Sequence, residues 1–73
     1  MFKYSQCFVR KDKDQIEEVA WVPSKFAKRN QKIIIGKKKT GINATVLSVY
    51  GRTERDMAKY TNDWERAHER TDI

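Results

Sequence analysis

Three consecutive isoleucines, Ile33 to Ile35, constrain this chain more than any other feature. β-branched side chains lose rotamer freedom in a helix and pack well on a pleated surface, so the triplet predicts a short buried strand. Between Lys25 and Gly41 it is flanked by Lys25, Lys28, Arg29, Lys32, Lys37, Lys38 and Lys39, without one carboxylate. The charges belong to two turns, "KFAKRN" before the strand and "KKKTG" after it, with Phe26 as an apolar anchor in the first. The turns sit at opposite ends of the same short strand and form either one basic stripe or two separate patches.

The rest of the first fifty residues follows the same strand logic. "FKYSQCFVR" alternates, with Phe2, Tyr4 and Phe8 on one side and Lys3, Ser5, Cys7 and Val9 on the other. "EEVAWVP" sets Val19 and Trp21 on one face and Ala20 and Val22 on the other, and ends at Pro23, which has no N–H for a ladder. The polar stretch Lys11–Gln15 joins these two as a hairpin. "INATVLSVY", ended by Gly51, supplies a fourth strand antiparallel to the isoleucines. From Thr53 the period changes: Met57, Tyr60, Trp64 and Ala67 recur at three- and four-residue steps, the stripe of an amphipathic helix. Thr53 serves as its cap, and Thr61, Asn62 and Asp63 mark a weak point in its middle. The expected fold is a single α+β domain over residues 1–73: about four antiparallel strands with one C-terminal helix on the sheet. An SH3-like barrel plus the helix is the alternative.

A chain of 73 residues buries only about 60% of its unfolded surface, so its apolar residues are needed for the core. On that ground Trp21 and Trp64 are expected to face inward. Phe2 and Tyr4 are weighed between core and a stacking platform or apolar contact for a partner, with the core favoured. Cys7 is alone and cannot close an intramolecular disulfide, which points to a reducing compartment. No apolar run approaches membrane-spanning length.

Catalytic chemistry finds little support. His68 is the only histidine and has no second histidine or cysteine pair beside it. Cys7, in a strand among aromatics, reads as a small buried hydrophobe. "GKKKTG" lacks the spacing of a phosphate-binding loop. The sequence therefore predicts a monomeric, non-enzymatic protein with no cofactor and no metal.

Charge carries the functional signal. The net charge is +6, and residues 1–51 hold eleven Lys/Arg against four Asp/Glu, while residues 52–73 hold five against six. An excess of one sign concentrated around one strand repels itself and favours an acidic partner. The seven cations from Lys25 to Lys39 are thus candidate contacts for an acidic protein surface or for nucleic acid.

The segment Trp21–Ile33, "WVPSKFAKRNQKI", contains an aromatic-x-Pro-x-Lys-Phe-Ala pattern. It is followed by "VLSVYG" at Val46–Gly51 and by "WERAHERTDI" at Trp64–Ile73. This pattern resembles a group of small proteins encoded by tailed bacteriophages. In length and layout the chain is similar to phage RNA-polymerase-binding transcription regulators of the kind found in a lytic Xanthomonas phage. That resemblance implies a protein acting in the cytoplasm of an infected bacterium. It would dock on the host RNA polymerase, inhibit transcription initiation and promote antitermination. The shared positions are core and turn residues, so the resemblance assigns no contact residue.

Overall fold

The computed structural model describes residues 2–37 and 39–70. Five strands form one antiparallel sheet: β1 (Tyr4–Lys11), β2 (Glu17–Pro23), β3 (Lys32–Ile35), β4 (Ile42–Thr53) and β5 (Ala67–Glu69), in the order β2-β1-β4-β3-β5. The expected hairpins β1–β2 and β3–β4 are both present. β4 is the spine, pairing with β1 along most of its length and with β3 at its start. Two register shifts in the β1–β4 ladder accentuate its twist, and the sheet curls into a half-barrel. A parallel bridge between Trp21 and Arg66 draws the free edge of β2 toward β5.

The predicted C-terminal helix is not formed, and the domain is all-β rather than α+β. Residues 57–59 and 63–65 make two 3₁₀ turns, and Ala67–Glu69 becomes a strand. Local chemistry explains why. Asp56 caps the first turn by accepting from the Ala58 N–H, and the Thr61 hydroxyl donates to the Met57 carbonyl. Asn62 and Glu65 form a reciprocal capping box that starts the second turn. Side chains that bond the backbone this way interrupt a helix. Tertiary pairing adds to this, because β3 would otherwise end the sheet as an open edge and Ala67–Glu69 covers it. The barrel alternative loses its helix for the same reasons.

Among the described residues the core is built from small aliphatic side chains: Cys7, Val9, Ala20, Val22, Ile33, Ile35, Ala44, Val46 and Ala67. Ile33 and Ile35 are buried as expected. The facing of β1 and β2 is opposite to the expectation that aromatics fill the core. Ser5, Cys7 and Val9 point inward, while Tyr4 and Phe8 stand on the outer face. Ala20 and Val22 are inward, leaving Val19 exposed and Trp21 half-buried. Trp64 is also exposed, lying over Gly36. Phe26 packs against the rim of the core from the 3₁₀ turn Ser24–Phe26. No helix among the described residues is long and apolar enough to cross a membrane.

Candidate nucleic-acid interface

None of the eight aromatic residues lies in the buried core. In so small a chain, aromatic surface left in water is stabilisation forgone. The strand registers show where it collects. Residues directly opposite in an antiparallel ladder share a face, so Phe8 on β1 stands beside Val19 on β2 and Ser48 on β4. The Tyr50 ring closes on Phe8 with centroids 4.7 Å apart and planes 33° apart. Val19 (46% exposed), Phe8 (43%) and Tyr50 (49%) thus form an apolar row across three strands. Trp21, opposite Gln6, and Tyr4, opposite Pro23, continue the same outer face toward the start of β1.

A second row lies two residues along β1, about 7 Å away by strand geometry. There Arg10 stands opposite Thr45 on β4, and Thr45 stands opposite Lys32 on β3. Four elements meet at Thr45, which is buried. Its hydroxyl donates to Asp12 Oδ1 at 2.9 Å and accepts from Lys32 Nζ at 3.1 Å. Arg70, just beyond β5, donates from Nη1 to Asp12 Oδ2 at 2.9 Å. The Arg70 hydrogen bond, helped by the Thr45 hydroxyl and by Lys32, holds the Asp12 carboxyl below its ordinary pKa despite partial desolvation. Arg10, Lys32 and Arg70 therefore bring three cations to one band of the outer face. Asp12 lies within it and Glu17 lies opposite Arg10.

Further cations gather around Phe2, before the start of β1. Phe2 separates two shallow hollows. One, of about 550 Å³, is lined by Phe2, Lys3, Pro23, Ser24 and Lys25. The other, of about 450 Å³, is lined by Phe2, Val49, Tyr50, Gly51 and Arg52. Phe2 and Tyr4, expected mainly as core, are instead an exposed and a half-buried residue of this surface.

The predicted basic cluster does not form one stripe. Lys25 joins Phe2 and Lys3, with its ammonium 5.1 Å from the Phe26 ring centre. Lys28 and Arg29 are exposed in the turn that follows. At the far end of β3, Lys37 approaches Asp63 at 4.0 Å and Lys39 is exposed. Lys32 is drawn into the Thr45 network, and Lys38 lies outside the described residues. Phe8, Arg10 and Tyr50 were not among the predicted contacts, and the registers place them on the aromatic face. Arg52, which lines a hollow with Tyr50, stands instead opposite inward-facing Ser5.

Other candidate chemistry stays bland. Cys7 is fully buried, and burial pushes its thiol up to about 11, opposed by the nearby positive charge of Arg52. His68 sits on β5 opposite Ile34, not on a helix. Among the described residues no group of three or more His, Cys, Asp or Glu side chains is placed to hold a metal ion. Comparisons with protein-family models, with curated proteins and with solved structures found no match to this chain.

Proposed function

We propose that this domain is a non-catalytic binding module that takes single-stranded nucleic acid across the outer face of β1, β2 and β4. The observation that supports the reading is the Val19–Phe8–Tyr50 row, exposed on a chain of net charge +6 and flanked along the strands by the band of Arg10, Lys32 and Arg70. Every base has a π-face, so exposed rings bind single strands with little sequence preference, and flanking cations follow the backbone. The row spans three adjacent strands, roughly 10 Å at ordinary strand spacing, a length suited to two or three bases.

Titration of short single-stranded and duplex oligonucleotides at two salt concentrations tests this. Single strands should bind with micromolar affinity near physiological salt and should outcompete duplex, and binding should weaken as salt rises. Duplex binding equal to single-strand binding would indicate only charge attraction and would sink the stacking reading.

A second reading rests on the resemblance to phage transcription regulators: docking on host RNA polymerase in the bacterial cytoplasm, with initiation inhibited and antitermination promoted. The hollow formed by Phe2, Lys3, Pro23, Ser24 and Lys25 favours it, because an apolar floor with two ammonium groups suits an acidic segment carrying one apolar anchor. Retention of the polymerase from a bacterial lysate, lost on changing Phe2 to Ser, is the outcome expected on that reading.

A further inference from the structure

The Thr45 network has the composition of an anion site in which the anion comes from the chain itself. The Asp12 carboxylate accepts a hydroxyl hydrogen bond at one oxygen, from Thr45, and a guanidinium hydrogen bond at the other, from Arg70. Lys32 Nζ lies one hydrogen bond further on, at 3.1 Å from the Thr45 hydroxyl. A hydroxyl and a guanidinium on an oxyanion, with an ammonium behind the hydroxyl, are donors of the kind that proteins use for phosphate. Asp12 belongs to the β1–β2 turn rather than to the rigid part of a strand, and its side chain is about a third exposed. The carboxylate is therefore the component of the cluster best able to swing out.

We propose that this cluster is a phosphate site occupied in the free protein by Asp12, and that a backbone phosphate of a bound single strand displaces the carboxylate. Thr45 Oγ1, Lys32 Nζ and Arg70 Nη1 then hold the phosphate. Arg10, opposite Thr45 in the ladder and two residues from Phe8, links the site to the stacking row. The stacking row and the cation band lie about 7 Å apart along β1, so a single strand stacked on Phe8 runs beside the band. Asp12 then serves as a discriminator. A neutral or weakly charged ligand does not displace it, while a polyanion does, so the site rejects apolar and acidic-poor partners that the aromatic face alone would accept. The identity of the ligand as nucleic acid rests on the proposed function above; the anion chemistry of the cluster does not.

The test compares the intact protein with its Asp12→Asn variant, in which the amide oxygen still accepts from Thr45 but no charge competes with phosphate. Binding of fluorescent oligothymidylate is followed by anisotropy between 50 and 200 mM NaCl, and melting temperature is followed against inorganic phosphate. The variant should bind the oligonucleotide about five- to tenfold more tightly with a similar salt slope, because the same phosphate is held in both proteins. It should also gain stabilisation from inorganic phosphate at millimolar concentration that the unmodified protein does not show. A folded Asp12→Asn protein that binds both probes no better than the unmodified one overturns the proposal. If the phosphate response appears while neither protein binds oligonucleotide, the anion site stands and the single-strand reading falls. Should Asp12→Asn fail to fold, Lys32→Gln decides: it should weaken oligonucleotide binding several-fold and flatten the salt slope by about one. Unchanged affinity and slope in that variant overturn the proposal as well.

Discussion

Trp64 lies across Gly36 so closely that a Cβ at Gly36 would come within 2.8 Å of two carbons of the indole ring. Gly36 has φ +95°, a conformation that side-chain-bearing residues rarely adopt, and its N–H donates to the Arg66 carbonyl at 3.0 Å. The contact fastens the second 3₁₀ turn onto the end of β3 and presents β5 for pairing. Gly36→Ala should therefore destabilise by about 2 kcal/mol or more, from backbone strain and from displacement of the ring. In the double variant Gly36→Ala, Trp64→Ala the steric part disappears and the strain stays, so urea denaturation should show a clearly sub-additive loss. Strict additivity would mean the ring does not rest on the glycine.

Phe8 and Tyr50 separate binding from stability. Each is close to half exposed and neither belongs to the buried cluster, so Phe8→Ala or Tyr50→Ala should cost stability only about 1 kcal/mol, mostly from the lost ring pair. Loss of a stacking partner for a base costs about 1–3 kcal/mol, so oligonucleotide affinity should fall roughly 5- to 150-fold. Anisotropy titration beside thermal melting measures both. A variant that loses stability and retains affinity would reassign the rings to structure.

The two basic turns should behave differently. Lys25 shares a hollow with Phe2, and Phe2 shares another with Tyr50 and Arg52, so Lys25→Glu should weaken oligonucleotide binding and lower its salt dependence. Lys37, which approaches Asp63, and Lys39 follow the other end of β3 and line neither hollow. The pair Lys37→Glu and Lys39→Glu should change melting temperature little, because exposed turn charges contribute little to stability. Its effect on oligonucleotide binding should be several-fold smaller than that of Lys25→Glu. Equal losses from both sets would mean that charge acts only through its total.

Much of the sheet was legible in the sequence, because alternation and punctuation act locally: Pro23 ends β2, Gly41 closes the β3–β4 turn, and the isoleucines declare β3. The sidedness was not legible from charge, because each face of the β1–β2 hairpin carries one cation and one acid. Arg10 and Glu17 share parity with Phe8, Val19 and Trp21, while Lys11 and Glu18 share parity with Cys7, Val9, Ala20 and Val22. Lys11 and Glu18 pair at 2.8 Å at the end of the inward face, so the small residues can fill the core beside them. The C-terminal segment was legible only in part. Its stripe of Met57, Tyr60, Trp64 and Ala67 matches a helix; the caps at Asp56 and Asn62 that break it are local, but the strand that replaces its end is set by the edge of β3, a partner distant in sequence. The cation band was hidden for a related reason, since Arg10, Lys32 and Arg70 come together only through the strand order.

Cys7 should be chemically silent in the native state. It is fully enclosed in the core and its thiol is raised to about 11, mainly by burial, so a thiolate scarcely forms at neutral pH. Alkylation by iodoacetamide should proceed only at the rate of unfolding or local opening, and should become fast in 6 M urea. In the unfolded chain the thiol ionises from an ordinary value of 9.0. Stability from this group is therefore complete below pH 9 and declines as pH rises from 9 toward 11, because the unfolded state loses its proton first. Cys7→Ser should not show that alkaline decline, although it will be less stable throughout.

Acid should act through Asp12 in the opposite direction. The Arg70 and Thr45 hydrogen bonds hold its folded pKa below the ordinary value of 3.8, so near that value the unfolded state binds the proton more readily. The stabilisation is complete above the ordinary carboxylate range and is lost as pH falls below about 4 toward the depressed folded value. The carboxylate is about a third exposed, and solvent screening keeps the contribution to about 1 kcal/mol. Denaturation of the intact protein and of Asp12→Asn between pH 2.5 and 6 should give curves separated at pH 6 that converge at the acid end. Curves that stay parallel throughout would show that Asp12 carries no charge-dependent stabilisation, and that Arg70 is anchored beside β5 by other contacts.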